Sequence, residues 1–347
     1  MNLDYHFVHK QFRLNGFHMD ESDLCRIAYS FIKEGEPFER AVGDFLLDWF
    51  DKRNFIEMHT SGTTGEPKLI RVEKQAMVNS ALATGEFFDL LPGIKVLHCL
   101  PTQYVAGKMM LVRAFILGWD MDLTSPVSNP LERNEATYDF VAMVPLQALH
   151  SLAKLGQVKK LILGGARVSH ELSEKLEALP TKIFETYGMT ETITHIAAKR
   201  IGEEAFTLLP NVRIGEDDRH CLVIDAYNIC DEPVVTNDVV KIIDDNHFVW
   251  LGRYDNVINS GGIKLFPEQI EEKLSGRIDR RFFIKGILDD VLGEKLALVI
   301  EGPAFELASN TFSKLGKYEK PKDIIFVDKF AETESGKIIR DKSLQGA

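Results

Sequence analysis

Thr60-Ser61-Gly62-Thr63-Thr64-Gly65-Glu66-Pro67-Lys68 packs four hydroxyls, two glycines and a lysine into nine residues. Such a loop can wrap a polyphosphate with backbone N–H groups, hydroxyls and one cation. It is not the helix-opening phosphate loop, in which the lysine is followed by Ser or Thr and a helix. Here Pro67 intervenes, and after Lys68 the run Leu69-Ile70-Arg71-Val72 is β-rich. The stretch Phe55-Ile56-Glu57-Met58 before it also reads as a strand. The expected object is a glycine-rich lid between two strands, although a surface turn would carry the same composition.

The rest of the chain sets the frame. Its 347 residues predict about two domains, each long enough to bury a core. With 45% hydrophobic and 27% charged residues the composition is that of a globular protein. The net charge of −11 (41 basic against 52 acidic residues) argues against broad nucleic-acid binding. An anionic ligand must therefore be held by local cations and amides. Cys25, Cys99, Cys221 and Cys230 are scattered without short paired spacings, which gives no metal or disulfide signature and fits a reducing compartment. No leader-like segment or uninterrupted apolar span is present in the sequence, so it reads as a cytoplasmic protein with no membrane span.

Between residues 55 and 200 short apolar runs alternate with helical patterns. Lys95–Leu100, Phe140–Val144, Leu161–Leu163 and Ile183–Phe184 read as strands; Glu73–Phe88, Lys108–Leu117 and Ser169–Leu179 read as helices, with Ser169 as an N-cap. This alternation predicts an α/β fold with parallel sheet and ligand loops at the strand ends. From Cys221 the pattern becomes β-rich (Cys221–Ile224, Pro233–Val235, Val239–Ile243, Phe248–Leu251), as in a small β-rich subdomain. Ser22–Lys33 and Phe38–Phe50 carry apolar helical faces. Beyond a boundary near Gly252–Asp255, a Gly-rich turn, a helix opened by Pro267, two strands, a helix over Phe305–Leu315 and a strand over Ile324–Val327 predict a small α+β C-terminal domain. The division is thus 1–252 and 253–347.

Several clusters suit a nucleotide. Gly164-Gly165-Ala166 follows a strand where a ligand can approach the backbone, and a tight turn would look the same. Glu185-Thr186-Tyr187-Gly188-Met189-Thr190-Glu191 offers a ring for stacking, a hydroxyl for a phosphate and a carboxylate for Mg²⁺, or simply a capped helix start. Asp238 suits ribose hydroxyls. Arg253 and Asp255 sit at the boundary, Lys264 beyond the Gly turn, and Ser335-Gly336-Lys337 places a cation near the end. Each is weak alone.

Taken in order, TSGTTGEPK, GGA, ETYGMTET, TNDVV, GRYDNVINSGGIKLFPEQIE and ESGKIIR resemble the motif series of the adenylate-forming acyl/aryl-CoA synthetase superfamily. The resemblance runs from about residue 56 to 340. It implies a two-step reaction: a carboxylate attacks the α-phosphorus of ATP, giving acyl-adenylate and pyrophosphate, and coenzyme A then displaces AMP. It further implies that Thr60, Ser61, Gly62, Thr63, Thr64, Gly65 and Lys68 hold the β- and γ-phosphates, and that Gly164, Gly165, Ala166, Tyr187 and Gly188 form the adenine pocket. Thr190 would bind the α-phosphate, Glu191 the Mg²⁺, and Asp238 and Arg253 the ribose. Lys337 would bridge the substrate carboxylate and the α-phosphate, where developing negative charge needs a cation. Asp255 falls at the hinge about which the small mobile domain rotates, withdrawing Lys337 and bringing the Gly261–Lys264 turn, with Lys264, to the site.

The chain departs from the pattern in three places. Asn237 stands where the ribose motif Thr-Gly-Asp has glycine. The last loop lacks its usual proline. The phosphate loop begins at residue 60, earlier than usual, which together with Met1 and a helical lead-in points to a compact branch rather than a fragment. Within the superfamily that branch is similar to the short bacterial o-succinylbenzoate–CoA ligases of menaquinone biosynthesis. Leu100–Gly107 resembles their substrate segment, with Tyr104 where histidine is common. An acid with a second carboxylate calls for a cation deep in the pocket. Lys108 and Arg113 are the candidates, and because they lie five apart on one helix they point in different directions. His195 either touches substrate or is a core histidine. The alternatives are a ligase for another aromatic or fatty acid, or a module that loads a carrier protein. Homo-oligomerisation is left open.

Overall fold

A computed structural model of the protein describes residues 3–59, 69–332 and 338–344. Among these, thirteen strands form one sheet. One half is the expected α/β layer: Arg13–Leu14, Asp120–Leu123, Lys95–His98, Tyr138–Met143, Val158–Leu163 and Lys182–Gly188 lie side by side and parallel. Strands covered on both faces have no polar face to alternate with. Phe140 to Met143 accordingly form a continuous apolar run that is at most 5% exposed. The sheet continues antiparallel from Lys182–Gly188 through His195–Arg200, Phe206–Leu208, His247–Arg253, Val234–Asp244 and Cys221–Asp225 to Arg213–Glu216. The expected β-rich portion is therefore an extension of the main sheet. Its segments Pro233–Val235 and Val239–Ile243 are one strand, Val234–Asp244, with an irregular register that absorbs the polar Asn237 and Asp238.

Helices pack the faces. Glu21–Glu34 starts from an Asp20 cap, with Asp23 N–H donating to Asp20 at 2.9 Å and Asp20 N–H to Asp23 at 3.2 Å. Pro37 opens Pro37–Trp49, whose Val42, Phe45, Leu46 and Trp49 are buried in the largest core cluster. Ser169 caps His170–Glu177 through Leu172 N–H at 3.3 Å, as its sequence predicts. Val105–Leu117 is buried from Met109 to Ile116. Its start folds tightly onto the preceding segment, since a Cβ at Gly107 would run into the carbonyl of Pro101.

The strands Phe55–His59 and Leu69–Glu73 pair antiparallel, His59 opposite Leu69 and Phe55 opposite Glu73. The polyphosphate-type sequence Thr60–Lys68 thus joins two paired strands, as expected; its residues lie outside those described.

A second sheet begins at Ile258. Ile263–Leu265, Ile258–Ser260, Gly293–Glu301 and Phe282–Asp289 are antiparallel neighbours, and Asp323–Val327 runs parallel to Gly293–Glu301. Helix Pro267–Leu274 buries Ile270 and Leu274 against it. The helix expected over Phe305–Leu315 is not formed. Successive turns replace it, with N–H donations from Thr311 to Ala308 (3.0 Å) and from Ser313 to Asn310 (3.0 Å). Arg277 donates to the Asn310 carbonyl at 2.7 Å, so a group that a helix would use internally is spent on a long-range contact. Leu307, Phe312 and Leu315 still reach the core.

Candidate active site

The loops at the ends of the parallel strands carry the Gly164–Ala166 turn and the Thr190–Glu191 pair. After Val158–Leu163 the chain turns through Gly164, whose N–H donates to Met143 O at 3.2 Å, and Gly165, with φ of +80°. Thr186 Oγ1, on the adjacent strand, donates to Leu163 O at 2.8 Å and would lie 2.9 Å from any Cβ at Gly164. Ala166 and Gly165 are exposed, leaving an accessible backbone rim. Val168 N–H then donates to Glu185 at 3.1 Å, and Lys199 neutralises that buried carboxylate from 3.3 Å.

The strand Lys182–Gly188 does not open a helix; it leads into a short 3₁₀ turn, Thr190–Thr192. Gly188 is required there, because a Cβ would collide with Thr194 O and His195 Cα as the chain folds back. Thr192 holds the turn: its Oγ1 lies 2.9 Å from Thr194 O and 3.1 Å from Met189 N. Ile193 takes φ of +65°, a costly conformation for a β-branched residue. The result presents Thr190 half-buried and Glu191 exposed, and no side-chain hydrogen bond or ion pair engages either among the described residues. A hydroxyl and a carboxylate are thus available side by side.

Tyr187, Asp238 and Arg253 come together from three strands. Tyr187 donates its hydroxyl to Asp238 at 2.7 Å, Trp250 Nε1 donates to the other Asp238 oxygen at 3.0 Å, and Arg253 lies 3.6 Å away. Asp238 and Arg253 are cross-strand partners. The Tyr187 ring meets Phe248 edge-on at 5.3 Å and Phe206 at 5.8 Å. Burial, then the Asp238 carboxylate, holds its phenol far above the usual range, so it stays protonated and donates. A carboxylate oriented by two donors keeps lone pairs for a vicinal diol.

Arg113 and Lys108 part company. Lys108 reaches toward Pro37–Trp49, its ammonium 5.1 Å from the Phe45 ring centroid; burial lowers its pKa, opposed by Asp48 and Asp44. Arg113 points the other way and is 2% exposed. Its Nη2 donates to Thr194 Oγ1 at 3.2 Å and to His195 Nδ1 at 3.5 Å, and its Nε is buried without a partner. No carboxylate pairs with it among the described residues, and burial brings its pKa down to about 9. Because a guanidinium only donates, His195 Nδ1 accepts and Nε2 carries the proton toward Thr84 Oγ1, 3.3 Å away. Burial and then Arg113 hold His195 well below its ordinary pKa, keeping it neutral. Thr84 completes the row by donating to Ser80 O at 3.0 Å. Tyr104 is 62% exposed at the start of the helix, away from this row.

Lys264 sits on the hairpin of the second sheet and lines a cavity of about 340 Å³ with Arg219, Lys241, Leu251, Tyr254 and Phe266. Thr190 and Glu191 do not line that cavity. Asp255 lies in the 3₁₀ turn Tyr254–Asn256 between the sheets. The second sheet is held against the GGA loop by Arg167, which bonds Glu272 at 2.6 Å, donates to Glu268 O at 3.3 Å and covers the Trp250 ring at 5.1 Å. Thr60–Gly65, Lys68 and Lys337 lie outside the described residues. Sequence reasoning missed Thr84, Thr194, Arg167 and Trp250. Each acts through a partner distant in the chain, which no local reading marks.

The pattern of the family described as "AMP-binding enzyme" matches residues 51–247, more than half of the chain. The chain belongs to the AMP-binding enzyme family. An acyl-CoA synthetase (AMP-forming)/AMP-acid ligase II-like protein from Dyadobacter fermentans is 37% identical to this AMP-binding enzyme; their structures align with a TM-score of 0.63 over 92% of this chain and 97% of that one. A 2-succinylbenzoate–CoA ligase of Listeria monocytogenes is 26% identical, over 91% of this chain and 74% of its own. The fold of this AMP-binding enzyme is also that of an o-succinylbenzoate coenzyme A synthetase from Bacillus subtilis solved with ATP and magnesium (TM-score 0.72, 17% identity, 95% and 83% coverage). No helix among its described residues is long and apolar enough to cross a membrane.

Proposed function

We propose that this AMP-binding enzyme is an ATP-dependent acid–CoA ligase whose acid is o-succinylbenzoate, converted through acyl-AMP and pyrophosphate to o-succinylbenzoyl-CoA for menaquinone biosynthesis. The observation that carries the choice of acid is Arg113: a buried guanidinium with an unpaired Nε and no carboxylate among the described residues. Burying a cation without a counter-charge is expensive. An acid with a second carboxylate brings the missing partner, whereas octanoate or benzoate leaves the cation uncompensated. The match to 2-succinylbenzoate–CoA ligases along most of the chain supports the same reading.

In this reading the GGA rim and the Tyr187 ring receive the adenine, and Asp238 with Arg253 takes the ribose. Thr190 donates to the α-phosphate. Glu191 would hold Mg²⁺, which supplies charge neutralisation at the phosphate oxygens. One protein carboxylate suffices for that ion, because the phosphates provide further oxygens; among the described residues no group of three or more His, Cys, Asp or Glu forms a separate metal cluster. The 60–68 segment would hold the outer phosphates and Lys337 the approaching carboxylate, lowering the barrier between two anions. Residues 1–252 would serve as the adenylation domain and 253–347 as a domain that turns about Asp255 to admit coenzyme A beside Lys264. Four free cysteines support a cytoplasmic setting.

The test is pyrophosphate release dependent on ATP, Mg²⁺ and coenzyme A across a panel of o-succinylbenzoate, octanoate and benzoate. Turnover with o-succinylbenzoate alone is expected. Preference for octanoate or benzoate would reassign the acid, and acyl transfer to a phosphopantetheinyl carrier in place of coenzyme A would reassign the acceptor.

A further inference from the structure

Among the described residues the main chain passes from the large sheet to the second one once, through Tyr254–Val257, between the strand ending at Arg253 and the strand starting at Ile258. Any rotation between the sheets must be absorbed there. Residues of the large sheet grip this connection. Arg219, just before Cys221–Asp225, lays its guanidinium 5.2 Å from the Tyr254 ring centroid. The same group is held in place by Asp217 at 2.8 Å and the Thr236 carbonyl at 3.1 Å. Its Nη1 donates to Asn237 Oδ1 at 2.8 Å, and Asn237 Nδ2 donates to Asp255 Oδ2 at 3.2 Å.

The Asn237 amide is therefore used from both ends, its oxygen facing a cation and its nitrogen a carboxylate. Neither end tolerates the flipped amide, since that would set NH₂ against guanidinium and C=O against carboxylate. Glycine, the residue of the motif that TNDVV otherwise resembles, could make neither bond. Each half-exposed bond of this kind biases an equilibrium by about two- to tenfold. That is enough to favour one orientation and too little to lock it.

We infer that Arg219 and Asn237 form a clasp on the connection, and that Asn237 is a positioning residue that sets the balance between the two half-reactions. The inference rests on the two-step reading given above. It is tested with Asn237→Gly, which removes both bonds, and Asn237→Asp, which keeps the bond to Arg219 and turns the contact with Asp255 into repulsion. Amide hydrogen exchange at Tyr254–Val257 should quicken by about two- to tenfold in both variants, while amides of Cys221–Asp225 keep their parent rates. The ratio of ATP–pyrophosphate exchange to acyl transfer from preformed adenylate should shift by a similar factor. Unchanged exchange at Tyr254–Val257 would overturn the clasp, as would an equal fall in both half-reactions. A parent enzyme that transfers nothing to coenzyme A would sink the two-step reading, and hydrogen exchange would still decide the clasp.

Discussion

Arg113 Nη2 donates to Nδ1 of His195 across 3.5 Å, a contact between residues 82 positions apart in the chain. It fixes the imidazole as the Nε2–H tautomer and aims the guanidinium. Arg113→Met should therefore leave the fold standing, since it removes a buried charge that lacks a counter-ion. It should lower kcat/KM for o-succinylbenzoate by roughly 30- to 1000-fold, the scale of losing a buried charge-assisted contact. Benzoate, which has no second carboxylate and is not expected to turn over, should compete with o-succinylbenzoate equally weakly in parent and variant.

A second expectation concerns the ribose site. Tyr187→Phe removes one of two donors that orient Asp238. KM for ATP should rise by about three- to tenfold, the net worth of one hydrogen bond, while the KM for the acid holds. Asp238→Asn should cost more, because it also removes the charge facing Arg253. If both substitutions left the ATP dependence untouched, the ribose would have to bind elsewhere.

His98 gives a pH signature. It is buried with its Nε2 3.1 Å from Thr102 Oγ1, and burial lowers its pKa from the ordinary 6.5 to about 4. Between those values the unfolded chain binds the proton and the folded one does not, so stability falls as pH drops from 6.5 to 4 and this loss is complete below about 4. The shift corresponds to about 3 kcal/mol. Urea titrations of the parent and of His98→Gln should converge in slope above pH 6.5 and differ on the acid side, where the variant loses less.

Lys337→Ala should abolish adenylate formation while transfer from preformed adenylate to coenzyme A persists. Separate assays of the two half-reactions check this, and equal survival of both would remove Lys337 from the chemistry.

The parallel half of the sheet was legible because its strands are short apolar runs bounded by turn residues, and Ser169 announced its helix because a cap is a local bond. The antiparallel continuation was read only in part: Phe206–Leu208 is too short to announce itself, and Arg213–Glu216 is both short and polar. Phe305–Leu315 was misread because its apolar spacing suits a helix, and the competing partner of its backbone, Arg277, lies about 30 residues earlier. The same distance effect applies to the site. The spacing of Lys108 and Arg113 separated their directions without saying which faced the site, and packing sends one toward Phe45 and the other toward Thr194 and His195. Residues such as Thr84 and Arg219 carry no local mark at all.

The paired strands Phe55–His59 and Leu69–Glu73 set opposite tolerances for change over a few residues. Ile56, Met58 and Val72 are buried while Glu57 and Arg71 are exposed, so inserting one residue into either strand would turn the apolar set to water. The nine positions between His59 and Leu69 face no such rule, because lengthening a connection costs little. The proposed grip on the outer phosphates, and not the pairing of the strands, is what would constrain the length and chemistry of this segment. Its two anchors are confined to substitutions that preserve their alternation, whatever ligand the segment between them holds.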